Sequence, residues 1–238
     1  MADDDGDEAV AARAGERYRD LAAARLELFL SPDPEGVVIL LEDAARIAAE
    51  REVAARLARA RQPAHWARAG LFYEDPWLWC LRDVVRFPDG APGTHHRLIH
   101  KGGPESVAVL PRFEGRLVLL RHCRHGLRDW ALEFPRGGGE PDISAEALAR
   151  KELREELGAE VSTLEPLGRI HPQNNLMATH IRLFHAELKS LGAPNLAEGI
   201  AGLRLVSGAE LARLIADDVI TDAISVALFA RARLRGLL

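Results

Sequence analysis

The stretch from Glu133 to Gly158 constrains this chain more than any other. It joins an apparent strand end, Glu133-Phe134-Pro135-Arg136, to the run Gly137-Gly138-Gly139-Glu140, and then to a helical segment ending Lys151-Glu152-Leu153-Arg154-Glu155-Glu156-Leu157-Gly158. Glycines let a backbone turn sharply and come close to a ligand or ion. Ser144 offers an N-cap and Gly158 a left-handed C-terminal residue, which bounds a helix over 145–157. On that helix Glu152, Glu155 and Glu156 are spaced i, i+3 and i+4 and share one face. Clustered carboxylates repel one another unless a cation joins them, and hard oxygen ligands suit magnesium or manganese. A divalent ion held this way can bind a diphosphate and activate water together. The octapeptide alone carries little weight, since Lys151 and Glu155 also make an ordinary pair on a solvated helix. The Gly run, the spacing and the preceding strand supply the rest.

The chain around this stretch reads as alternating strands with a few helices. Strand-like runs lie at 77–86, 95–100, 106–111, 116–122 and 130–134, with turns at 88–90, Gly102-Gly103 and Glu114-Gly115. Val107, Val109, Val118 and Leu120 alternate as a half-buried sheet requires. Further strands are expected at 165–170, 178–187 and 203–206, and closing helices at 209–216 and 222–235. Toward the N-terminus the pattern is helical over 8–28, broken by Ser31-Pro32-Asp33-Pro34-Glu35-Gly36. A short strand follows at 37–41, then a helix over 43–61 capped by Asp43. The first few residues, an Asp run without apolar partners, are expected to be disordered. Strands, one central helix, more strands and closing helices give an α/β/α sandwich around a mixed sheet over 76–238, preceded by a mostly helical extension over 1–75.

At these residues the sequence resembles the Nudix family. Gly137 fits the first Gly of its box, and Glu152, Leu153, Glu155, Glu156, Gly158 and Ala159 fit the second half in spacing. The resemblance implies a Nudix-type sandwich, Mg2+ (or Mn2+) as cofactor, and hydrolysis of a nucleoside diphosphate linked to another group. It implies that Glu152, Glu155 and Glu156 ligate metal, with the main-chain carbonyl of Arg136 assisting. Two positions depart from the box: Ile143 stands for an acidic residue and Lys151 for Arg. The departure weakens an oppositely charged pair, for which Asp142 and Glu140 are near enough in sequence to substitute. Leu119–Arg124 followed by Leu132-Glu133-Phe134-Pro135-Arg136-Gly137 is similar to the ADP-ribose pyrophosphatase branch. That branch implies substrate contacts for Arg124, Arg136 and Glu133. It also implies a Glu on a loop before a strand ending Val-Ser, which Glu198 matches ahead of Val206-Ser207. Glu198, with Glu155, is the catalytic candidate, and Gly199 and Gly202 would let its loop move. Thr221-Asp222-Ala223-Ile224-Ser225 resembles the branch's final helix.

Composition narrows the partners. The formal charge is -5, so bulk attraction to nucleic acid or an anionic membrane is not expected. Cys80 and Cys123 make neither a disulfide framework nor a metal spacing, which fits a reducing cytoplasm. The acidic start is unlike a signal peptide, and no run of about 18 apolar residues occurs. The His residues have no metal spacing and read as polar strand or loop residues. Trp66, Trp77, Trp79 and Trp130 read as core or dimer contacts, one of them able to stack on adenine. The expected substrate is ADP-ribose or another ADP-sugar, giving AMP and a sugar phosphate, acted on by a homodimer. Coenzyme A, NADH or another nucleotide sugar are alternatives. So are a catalytically weak ligand-binding domain and an interaction protein built on the N-terminal helices.

Overall fold

A computed structural model of the chain describes residues 4–31, 33–102 and 105–238. Residues 1–3, where disorder is expected, and the turn residues Pro32 and Gly103 lie outside it. The chain forms two compact units, one of residues 1–101 with 175–178 and one of residues 102–174 with 179–238.

The first unit begins with α1 (Asp4–Ala24), which starts inside the acidic run. β1 (Val38–Ile39) and α2 (Asp43–Arg59) follow, and Glu42, not Asp43, caps α2 by accepting from the amides of Ala44 and Ala45. β2 (Gly70–Glu74), β3 (Leu78–Arg86) and β4 (Pro92–His100) complete a four-stranded sheet in which β3 pairs with β1, β2 and β4. The sequence reading missed β2 and ended the N-terminal part at residue 75. β3 and β4 belong to this sheet and pair within the first unit. Its core holds a buried polar cluster: Tyr18 Oη donates to Asp83 Oδ1 at 2.7 Å, and Arg97 Nη2 donates to the same oxygen at 3.0 Å. Trp66, Trp77 and, in the second unit, Trp130 are exposed, contrary to a core reading; only Trp79 packs on the core.

The second unit holds β5 (Glu105–Phe113), β6 (Arg116–Arg124), β7 (Asp129–Glu133), β8 (Arg136–Gly137), α3 (Ala145–Leu157), β9 (Glu160–Ile170), β10 (His180–Ser190), β11 (Ile200–Val206), α4 (Gly208–Ala216) and α5 (Ala223–Leu234). The central order is β11-β6-β5-β10-β9, with β5 and β10 parallel and the other pairs antiparallel. Both sheet faces are covered, so the strands are buried on two sides rather than one. Val107, Val109, Val118 and Leu120 pack with Leu148, Leu153 and Leu157 of α3. The alternate residues Ala108, Leu110, Leu117 and Leu119 pack with Leu211 of α4 and Leu228 of α5. The layers are therefore helix, mixed sheet, helices.

One irregularity positions the site. β5 and β6 join through Glu114-Gly115, both at positive φ (49° and 77°), as a tight two-residue hairpin requires. They pair only next to that turn, at Arg112–Leu117 and Phe113–Arg116. Farther along, β6 pairs with β7 while β5 pairs with β8, and the Val109 amide donates to the Pro135 carbonyl. The segment 133–137 is thereby held between the two strands, with Gly137 on a short strand instead of a free loop.

Candidate active site

α3 supplies the carboxylates. Ser144 Oγ accepts from the Ala147 amide at 3.2 Å, and Gly158 ends the helix at φ 58°, as its sequence requires. Leu148, Leu153 and Leu157 anchor it to the sheet and fix which face is left for the acids. Glu156 is only 2% exposed, and its Oε2 accepts from the Arg136 amide at 3.1 Å. Burial, and next the charge of Glu152, raise its pKa from 4.5 to about 8. Glu152 is raised to about 7 by burial and then by Glu155. Glu198 lies near enough to raise both.

Gly137 is required by geometry. A Cβ built on it would fall 2.0 Å from Glu152 Oε1, so the Glu152 side chain occupies the place of the missing methyl. Glu155 differs from its neighbours: it is exposed, with Oε2 3.7 Å from Lys151 Nζ. Lys151 also pairs directly with Glu140, while Ile143 is 37% exposed. The oppositely charged pair displaced from the expected box positions thus exists, with Glu140 as its acidic member.

Glu198 ends the short 3-10 turn Leu196–Glu198, and Asn195 Nδ2 donates to its Oε1 at 2.8 Å. The loop is tied at both ends. The Asn195 amide donates to the Glu156 carbonyl at 3.2 Å, and the Gly199 carbonyl accepts from the Cys123 amide at 2.9 Å. Gly199, at φ 81°, terminates the turn.

Beside the carboxylates, Glu133 is fully buried between two arginines. Arg124 Nε donates to its Oε1 at 2.7 Å and Arg136 Nη2 to its Oε2 at 3.0 Å. His122 Nδ1 lies 3.3 Å from Oε1, and burial followed by the Arg124 charge lowers its pKa. Arg136 Nη1 donates onward to Asp222 Oδ1 at 3.2 Å. Arg124, Leu127, Glu133, Arg136, Thr221 and Asp222 line an open cavity of about 380 Å3. Sequence reasoning missed His122 and the role of Asp222. Thr221–Ser225 stood out in the sequence as the start of a closing helix, but the contact of Asp222 with Arg136 spans a long sequence separation.

The donor set fits a hard divalent ion. Burial and mutual repulsion raise the pKa values of half-buried Glu152 and buried Glu156, a pair whose charge a cation would balance, and the Gly137 cradle seats Glu152. Among the described residues, no three His, Cys, Asp or Glu side chains are arranged to enclose an ion. The fit therefore rests on the pair of half-buried Glu152 and buried Glu156 and its charge, not on a finished cage.

Comparison with known proteins bears on the family and the fold. A family model of the NUDIX domain matches residues 103–229. Over 65 residues the chain is 42% identical to a putative 8-oxo-dGTP diphosphatase, YtkD, of Bacillus subtilis (strain 168). That match covers 27% of this chain and only 38% of the relative. The crystal structure of an ADP compounds hydrolase shares the fold, with a TM-score of 0.62 at 18% identity, covering 72% of this chain and 95% of that one.

Proposed function

This chain belongs to the NUDIX domain family, and on that premise we propose that it cleaves the diphosphate bond of an ADP-linked small molecule, ADP-ribose or another ADP-sugar. Water oxygen bonds to one phosphorus and the bridging phosphorus–oxygen bond breaks, giving AMP and a sugar phosphate. The observation that carries the reading is the pair of buried Glu156 and half-buried Glu152, the latter seated against Gly137, with Glu198 near both.

In this reading Glu152, Glu155 and Glu156, with the Arg136 carbonyl, would hold Mg2+ or Mn2+. When bound, such an ion neutralises the diphosphate and makes water a better nucleophile. Glu198 orients that water and takes its proton, while Asn195 fixes the carboxylate. Arg124 and Arg136 face the cavity with their charges shared by Glu133, which leaves donors for phosphate and sugar oxygens. The ADP compounds hydrolase with this fold supports an ADP substrate. The Lys151–Glu140 pair supports turnover over mere binding, because it restores the charge balance that Ile143 removes.

The test is phosphate-monoester release, read after coupling to a phosphatase, from ADP-ribose, other ADP- and UDP-sugars, NADH, coenzyme A and dinucleoside polyphosphates. Pyrophosphate release from 8-oxo-dGTP is followed alongside. The reading expects metal-dependent cleavage strongest on ADP-sugars. Silence across the panel, with thermal stabilisation by ADP-ribose, would make the chain a binding domain instead.

A further inference from the structure

The N-terminus of α5 grips the segment that carries the site. Asp222 Oδ2 accepts from the Ser225 amide at 2.8 Å and from its hydroxyl at 2.7 Å, which is an N-cap. The fully buried Ser225 Oγ in turn accepts from the Phe134 amide at 2.9 Å. The other Asp222 oxygen accepts from Arg136 Nη1. One cap therefore holds residues 134 and 136 at two points, and between them Pro135 is bonded to β5. The Arg136 amide fixed in this way is the one donating to buried Glu156.

We propose that Asp222 is a positioning residue: by holding Arg136 it fixes the main chain that orients Glu156, and so sets the divalent-ion affinity of the site. The inference rests on reading Glu152 and Glu156 as ion ligands. A cap alone would need only an oxygen acceptor, and Asn caps a helix about as well as Asp. The charge adds a modest interaction with the dipole of α5 and, within the site, pairs with Arg136.

The full chain is titrated with Mn2+ alone by calorimetry, and its melting is followed in chelator, for wild type, Asp222→Asn and Asp222→Ala. Asp222→Asn is expected to melt near the wild-type midpoint yet bind Mn2+ about tenfold more weakly, the scale of losing a partner one step behind the ligands. Asp222→Ala lowers both quantities. In an Arg136→Ala background, Asp222→Asn adds no further loss of affinity. Wild-type Mn2+ affinity in Asp222→Asn, or an added loss in the Arg136→Ala background, overturns the proposal alone. Absence of Mn2+ binding by the wild type overturns the ion-ligand reading and the proposal with it.

Discussion

Gly137, half-buried Glu152 and buried Glu156 state the account at its smallest scale. Gly137→Ala places a methyl where Glu152 lies, 2.0 Å from Oε1. The carboxylate must leave its seat, so Mn2+ affinity is expected to fall by about tenfold or more in a titration while the chain stays folded. Unchanged affinity would show that the cradle is incidental. The same glutamates set a pH dependence. Without metal, the folded chain keeps protons on Glu152 and Glu156 above 4.5, where the unfolded chain has lost them. Their stabilising contribution is full below 4.5 and is lost as pH rises through about 7 and about 8. In chelator, the melting temperature should fall between about pH 5 and about pH 8 from these groups, and Glu156→Gln should reduce that fall. A profile identical in the variant would contradict the assignment. These residues were legible because box spacing and helix periodicity both select them. His122 and Asp222 were not, since their roles come from contacts made only in three dimensions.

α3 shows how an element carries a site. Its caps and its apolar stripe were readable from residues 144–158, and the helix has the expected bounds. Leu153 is fully buried in the layer between α3 and the sheet. Leu153→Ala is expected to cost about 2–5 kcal/mol in chemical denaturation. A cost under about 1 kcal/mol would mean the helix is not anchored as described. Strand β8 escaped the sequence reading because two residues carry no period, and its pairing with β5 depends on β6 swinging toward β7. The alternation in β5 and β6 was visible, but its meaning was not. Ala108, Leu110, Leu117 and Leu119 are as apolar as the other set, so both faces are buried and polar positions are few.

Across the whole molecule, β2 hid because Gly70 and Phe72 sit among residues with neither helical nor strict strand periodicity, and only pairing with β3 defines it. Several large apolar side chains of the first unit are exposed, among them Leu26 at 51%, Leu30 at 65% and Trp77 at 72%. Apolar side chains exposed singly are ordinary on a folded surface and only a contiguous patch marks an association site, so the homodimer expected from the sequence is a proposal to be tested in solution. Sedimentation velocity should give twice the mass of the 26.1 kDa chain, and Trp77→Ser should shift the population toward monomer. A single monomeric species at micromolar concentration would set the dimer aside. No described helix is long and apolar enough to cross a membrane.

The central claim is that the carboxylates of α3 drive metal-dependent diphosphate cleavage. The direct test is AMP release from ADP-ribose by the wild type and by Glu155→Gln, Glu156→Gln, with magnesium and with chelator. The account expects cleavage by the wild type with magnesium only, and a loss of more than about a hundredfold in the double variant with its fold intact. Equal cleavage in chelator, or by the double variant, would contradict it.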